Sequence, residues 1–231
     1  MKITVCAFDA YGTLFDVHSP VRHHLAKLGR KAAAFSQLWR AKQLEYSWLR
    51  SLMQAHADFW QVTRDALDYT CDVHEVPNEK LKQALMDSYL HVEAYPEVKA
   101  MLGALRQQGI RCAILSNGSP KMLAAAVEGA GLTGDFDSVI SAEEAHIYKP
   151  APAVYQLIEQ RLGVKREEIC FVSSNAWDVI GAARFGLRSI WVNPSHQPRE
   201  RLPFEPEHEI RTMADLPAFL ELQRAIMVSR P

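Results

Sequence analysis

The stretch "ITVCAFDAYGTLFD", residues 3–16, decides the fold. It opens with a mostly apolar, β-branched run, meets a carboxylate at Asp9, and enters a glycine-containing turn. The same short apolar run returns in "RCAILS" at 111–116, "SVISA" at 138–142, "EICFVSS" at 168–174 and "RSIWVN" at 188–193. Helical patterns at 119–129, 150–162 and 177–186 lie between the later runs. Strands alternating with helices of this length predict an α/β fold, a Rossmann-like doubly wound parallel sheet covered on both faces. Residues just past the C-terminal strand ends of such a sheet converge on one crevice. The sequence therefore predicts a shared site from Asp9, Ser116, Asn117 and the 173–178 segment. Lys149 joins it from the loop after a strand.

Residues 17–92 break the rhythm, with no strand signal and many helix formers. In "QLWRAKQLEYSWLRSLM", Leu38, Ala41, Leu44, Trp48 and Leu52 recur at three- and four-residue steps, the apolar stripe of an amphipathic helix. More helical pattern follows at 56–70 and 78–90. The segment reads as a helical cap inserted after the first strand. That gives a core domain of 1–16 and 93–223, a cap domain of 17–92, and a frayed tail at 224–231. Arg40 shares a side with positions 44 and 48 and so borders the stripe. Pointing toward the core site and snorkelling from the surface both fit that position.

Composition excludes several function classes. The 231 residues are 48% hydrophobic and 23% charged, as in a globular protein with a full core. A net charge of -1 gives no electrostatic case for a nucleic-acid or membrane partner. No apolar run approaches the roughly 18 residues of a membrane span, and Asp9 interrupts the N-terminal run too early for a signal peptide. Cys6, Cys71, Cys112 and Cys170 form no CxxC pair, which predicts buried free thiols and a reducing cytoplasm. The nine histidines show no metal-ligand spacing, so no metal or other cofactor is expected, and His23 and His24 are placed on a solvated helix face.

Three further positions bear on chemistry, each with a plainer alternative. Ser119 and Pro120 form the start of a helix running toward Gly131, whose free N–H groups would face the crevice as an anion site. Ser116, Asn117 and Ser119 would equally satisfy a simple turn. Lys149 precedes Pro150, as many solvated loop lysines do. At a sheet edge its ammonium would hold Asp9 ionised, and Tyr155 in the next helix would steady it. Asp178 suits either the crevice or the dipole of a helix N-terminus. Two residues after Asp9, where a second carboxylate would complete a phosphate-processing pair, stands Tyr11.

Together "FDAYGTLFD", "LSNGS", "YKPAPAVY" and "SSNAWD" resemble the haloacid dehalogenase superfamily, and specifically its L-2-haloacid dehalogenases, over essentially the whole chain. A phosphatase of that superfamily uses the second aspartate to protonate an alkoxide and further carboxylates to hold magnesium. Displacing halide from carbon needs neither, because halide is a weak base and the electrophile is uncharged. The resemblance implies that Asp9 attacks C2 of the substrate, inverting it and forming an ester, and that water then attacks the Asp9 carbonyl. It implies that Ser116 and the backbone around Ala10, Tyr11 and Asn117 bind the carboxylate. Arg40 and Asn117, with Trp177 nearby, would receive the halide. Thr13, Lys149, Ser173, Asn175 and Asp178 would position nucleophile and water, with Asp178 as general base. Leu44, Phe59 and Trp177 would form an apolar wall. It also implies a homodimer acting without metal. The rivals are a phosphatase of the superfamily and a catalytically silent binding protein on the same scaffold.

Overall fold

A computed structural model of the chain describes residues 2–228. Every residue of β1 (Val5–Phe8) is buried, as befits a central parallel strand covered on both faces. A turn through Gly12, whose φ of 89° favours glycine, leads into β2 (Phe15–Asp16). Five helices follow: α1 (Ser19–Arg22), α2 (Leu25–Leu28), α3 (Ala32–Leu52), α4 (Phe59–His74) and α5 (Glu79–Tyr89). Asp58 and Asn78 start α4 and α5 by accepting the N–H groups of Gln61 and Leu81. The chain then returns in β3 (Glu93–Ala94), which pairs antiparallel with β2.

The alternation resumes with α6 (Val98–Gln107), β4 (Arg111–Ser116), α7 (Pro120–Gly129), β5 (Ser138–Ser141) and α8 (Pro152–Leu162). It continues with β6 (Ile169–Ser173), α9 (Ala176–Phe185), β7 (Arg188–Val192), β8 (His208–Ile210) and α10 (Leu216–Val228). Six strands form one parallel sheet in the order β5-β4-β1-β6-β7-β8. The order leaves β1 in both directions, so the topological switch point falls beside β1, where such sheets bind ligands. Phe8 lies opposite Ile114 and Val172, which brings the ends of β1, β4 and β6 side by side. Cys6, Cys112 and Cys170 occupy one register row across these strands. All four cysteines are buried and free, and burial pushes the Cys112 thiol up to about 12.

The parallel α/β sheet agrees with the expectation from sequence; several details differ. The strands β2, β3 and β8 are additional, each only two or three residues long. Helix α8 starts at Pro152, not at 150, and the Lys149–Pro150 peptide is cis. His23 and His24 sit in the turn after α1, not on a helix. His23 is paired with Glu93 and His24 is hydrogen-bonded to Ser88. The tail expected from 224 begins inside α10, where Arg224 donates to the carbonyls of Gln108 and Ile3. Residues 229–231 of that tail lie outside the described residues.

The largest correction concerns α3. Its buried residues are Ala32, Phe35, Ser36, Trp39, Gln43 and Ser47, not the Leu38–Ala41–Leu44–Trp48–Leu52 stripe. Ala41 is exposed and Leu52 is 80% exposed. Trp39 anchors the covered face, donating its indole N–H to the Thr63 carbonyl at 2.9 Å and packing edge-on against Phe35 and Tyr89. Gln43 and Ser47 can be buried because Thr63 and the Leu44 carbonyl satisfy them. Among the described residues, no helix is long and apolar enough to cross a membrane.

Candidate active site

Asp9 follows β1 directly and is 5% exposed. Its two carboxylate oxygens are held unequally. Oδ2 accepts from Asn175 Nδ2 at 2.7 Å, Thr13 Oγ1 at 3.0 Å and, more weakly, Ser173 Oγ at 3.4 Å. Oδ1 accepts from Lys149 Nζ at 3.1 Å. Thr13 Oγ1 accepts the N–H of Ser174 and Ser173 Oγ that of Asn175; a carboxylate oxygen only accepts, so these hydroxyls donate to it, although they also lie 3.3 Å from each other.

Lys149 is 1% exposed and lies between two carboxylates, with its Nζ 3.1 Å from Asp9 and 2.8 Å from Asp178. It also sits over the Phe171 ring, 4.8 Å from the centroid. Asp178, at the N-terminal turn of α9, is fully buried and receives the Tyr155 hydroxyl on Oδ1 at 2.8 Å. Burial pushes the Asp178 carboxyl up to about 6, against the opposing pull of the Lys149 ammonium. Gly181, one helical turn on, keeps this corner tight: a Cβ there would fall 2.4 Å from the Tyr155 hydroxyl.

At the end of β4, Ser119 caps α7 and Pro120 occupies its first turn, the arrangement expected from sequence. Ser116 Oγ accepts the Gly118 N–H at 3.1 Å, which leaves its own proton to donate elsewhere. Asn117 Oδ1 accepts the Lys149 N–H at 2.9 Å, so the donor Nδ2 is the end of that amide left for an anion. Among the described residues, the N–H groups of Ala10 and Tyr11 donate to no protein acceptor. The Tyr11 hydroxyl is buried without a partner, and burial raises its pKa, so the ring keeps its proton. A neutral phenol therefore stands where a second carboxylate would titrate.

The helices contribute Arg40, which reaches down from α3 to donate to the Tyr11 carbonyl at 3.2 Å. The same carbonyl accepts from Asn175 at 3.1 Å, joining both halves of the site at one oxygen. Of the two orientations open to Arg40, the structure has the inward one. Leu44 follows one turn later and is half-buried. Phe59 is buried against Tyr148, 5.7 Å between centroids, and Trp177 meets Trp48 edge-on at 5.4 Å. A cleft of about 670 Å³ opens behind Trp177, lined by Trp48, Leu52, Tyr148, Ile180 and Phe204. It borders Lys149 and does not include Asp9. Two residues of the stripe, Trp48 and Leu52, thus face this cleft.

Asp9, Thr13, Lys149, Tyr155, Ser173, Asn175 and Asp178 form one hydrogen-bonded cluster, with Asn117 attached through Lys149 and Arg40 through Tyr11. Ser116 borders it at the neighbouring strand end. Among the described residues, the side chains of Leu44, Phe59 and Trp177 share no hydrogen bond with it. Sequence reading missed Gln43, which holds Arg40, and Tyr89, which holds Gln43. The one available signal was the three-residue spacing from Arg40 to Gln43. Among the described residues, no three His, Cys, Asp or Glu side chains converge as metal ligands.

Fold and strand-end carboxylate define a class of hydrolase. A family model described as haloacid dehalogenase-like hydrolase matches residues 3–186. The chain is 45% identical over 220 residues to (S)-2-haloacid dehalogenase 1 of Pseudomonas sp. (strain CBS-3), covering 94% of this chain and 96% of that one. It is 46% identical over 193 residues to haloacetate dehalogenase H-2 of Moraxella sp. (strain B), covering 83% and 86%. A solved L-2-haloacid dehalogenase from Xanthobacter autotrophicus with chloropropionic acid covalently bound superposes with a TM-score of 0.90 at 37% identity, covering 95% and 98%. The chain belongs to the haloacid dehalogenase-like hydrolases, in their 2-haloacid dehalogenase branch.

Proposed function

We propose that this protein hydrolyses L-2-haloalkanoic acids to D-2-hydroxy acids through an ester on Asp9, without metal. The observation that carries the reading is the unequal loading of the Asp9 carboxylate. Oδ2 is saturated by three donors, whereas Oδ1 touches only Lys149. Oδ1 attacks C2 from the side opposite the halide. The C–O bond forms as the carbon–halogen bond breaks, and the halide leaves with its electron pair toward Arg40 and Asn117 Nδ2. Ser116 and the N–H groups of Ala10 and Tyr11 hold the substrate carboxylate, which orients C2 for attack. Leu44, Phe59 and Trp177 wall the substituent on C2.

Ester hydrolysis uses the same asymmetry. Asp178 takes a proton from water, which adds to the Asp9 carbonyl carbon. Oδ2 then carries the negative charge, and its donors Thr13, Asn175 and Ser173 act as an oxyanion hole. Collapse breaks the bond from that carbon to Oδ1; the departing alkoxide takes the proton held on Asp178 and leaves as the hydroxy acid, and Asp9, regenerated as the acid, gives its proton to solvent. A base near 6 is well matched to this step, ionised at neutral pH yet basic enough to accept the proton. Lys149 and Tyr155 hold it in place.

The donor set does not suit magnesium. Asp9 and Asp178 already share the Lys149 ammonium, and Ser173, Ser174 and Asn175 stand where further carboxylates would be needed. Turnover is expected to survive exhaustive chelation, and a rate restored by magnesium alone would point to a phosphatase-like enzyme instead. In this reading residues 17–92 act as a cap over a core of 1–16 and 93–223. The exposed Leu49, Leu52 and Met53 on and beside the end of α3 support a homodimer, and the buried free thiols support a reducing compartment.

Oxygen labelling tests the covalent step. In one turnover with enzyme in excess in heavy-oxygen water, the product hydroxyl should carry almost no label. After many turnovers, peptide mass spectrometry should find label in Asp9 and none in Asp16 or Asp178. Label at C2 of the single-turnover product would mean direct attack by water.

A further inference from the structure

Among the described residues, Arg40 is a half-buried cation held only by neutral oxygens. Its Nη1 donates to Gln43 Oε1 at 2.7 Å and its Nη2 to the Tyr11 carbonyl at 3.2 Å. Of the other arginines of the helical segment, Arg22 pairs with Asp16 and Glu93 and Arg50 with Asp65, whereas Arg64, away from the site, also donates to a neutral amide oxygen, that of Gln83. A buried guanidinium is ordinarily paired with a carboxylate.

Gln43 is 1% exposed, and the chain of hydrogen bonds behind it leaves its amide one orientation. The Phe59 carbonyl can only accept, so the Thr63 hydroxyl donates to it, at 2.6 Å. Thr63 Oγ1 must then accept, and Gln43 Nε2 donates to it at 2.7 Å. That leaves Gln43 Oε1 facing Arg40, with the Tyr89 hydroxyl donating to the same oxygen at 3.1 Å. The relay starts at the first residue of α4, crosses to α3, and ends on the guanidinium.

We propose that Gln43 is the positioning residue for Arg40, and that its neutrality is the point. The amide oxygen fixes the guanidinium while leaving its full charge to an incoming anion. A glutamate of the same length would hold the geometry and cancel the charge. The inference rests on the dehalogenase reading, in which that anion is the departing halide.

Gln43→Glu and Gln43→Met separate charge from geometry. Glutamate keeps both accepted bonds and loses only the one to Thr63; methionine keeps the length and loses every bond. With L-2-chloropropionate, Gln43→Glu should lower kcat at least about tenfold and weaken inhibition by added chloride by a similar factor, the loss expected for one charge-assisted contact. Gln43→Met should lose less of both. The kcat ratio of chloro to bromo substrate should fall furthest in Gln43→Glu, because chloride is the poorer leaving group. A residue that merely fills the interface between α3 and α4 would give the reverse order and leave chloride inhibition unchanged. Either of those results overturns the proposal. If Gln43→Glu does not fold, Thr63→Val takes its place, since it frees the Gln43 amide to turn; chloride inhibition should weaken a few-fold, and no change would overturn the proposal. Wild-type enzyme that released no halide would refute the dehalogenase reading itself, a separate outcome.

Discussion

Asp9, at the end of a central strand, is gripped by four side-chain donors, one of them the ammonium of Lys149. Arg40, on the long helix, is half-buried and, among the described residues, is hydrogen-bonded only to neutral oxygens. The sheet side of the site answers its charges internally, with Lys149 shared by two carboxylates. The helical side supplies a charge and leaves it unanswered. A nucleophile needs fixed aim, which dense hydrogen bonding gives, whereas an anion receptor needs unspent charge. On the proposed reading, with Asp9 as nucleophile and Arg40 as halide receptor, the contrast between the two regions follows a division of chemical labour.

Four experiments bear on this comparison, from the largest effect down. Asp9→Ala should abolish halide release, by on the order of 10⁴-fold or more, while near-ultraviolet circular dichroism stays unchanged. A residual rate close to wild type would remove the nucleophile from the sheet side. Arg40→Ala should cost roughly 2.7–4 kcal/mol, or about a hundred- to a thousand-fold in kcat, the usual loss for one donor at a developing charge. Turnover near wild type would leave the helical side with no chemical part.

The third concerns pH and Asp178. Steady-state halide release should fall as pH drops through about 6, because on this reading ester hydrolysis needs the ionised base, whereas the first-turnover burst should persist. Asp178→Asn should give a burst of one halide per active site and then stall as the ester. The stability sign runs the other way. Burial raises the folded-state pKa above the ordinary 3.8, so protonated Asp178 favours folding in acid and that contribution is lost as pH rises through about 6. Above that, keeping the buried charge costs up to about 3 kcal/mol. Asp178→Asn should therefore melt higher than wild type at pH 8, with the gap closing toward pH 4. An equal gap at both pH values would mean that the sheet side does not strain to hold its base. The smallest effect belongs to the exposed pair of Glu93 with Arg22. Glu93→Gln should shift stability by less than about 1 kcal/mol, and less still in high salt, leaving kcat untouched.

The sheet half of the site was the more legible from sequence, and the reason is topological. Apolar runs that end in Asp9, Ser116 and Ser173 must meet at a switch point once the sheet is parallel, so order along the chain becomes proximity in space. The helical half follows no such rule. A hydrophobic count finds where α3 is apolar, but not which face is covered. Gln43 and Ser47 are buried because Thr63 and a backbone carbonyl happen to satisfy them, and Leu52 stays open beside a cleft. The short strands β2, β3 and β8 escaped because two or three residues carry no periodicity. The start of α8 was misplaced because a proline marks a helix's first turn only approximately, and here Pro152 does so instead of Pro150.

The ribbon of β2 and β3 bears on how such a molecule can be rebuilt. Phe15 faces Ala94 and Asp16 faces Glu93, so the chain leaves and re-enters about one strand spacing apart, roughly 5 Å. All the helices from Ser19 to Tyr89 hang from those two neighbouring points, and no strand of the six-stranded sheet lies within them. Whatever is spliced between Asp16 and Glu93 thus needs ends that meet and a face that packs as Phe59 does on Tyr148 and Trp48 on Trp177; the strands of the sheet lie outside it. The ribbon is a socket. On the proposed reading, Asp9 and its donors would stay where they are while a different insert, with a different side chain in the place of Arg40, changed which leaving group the same aspartate can expel.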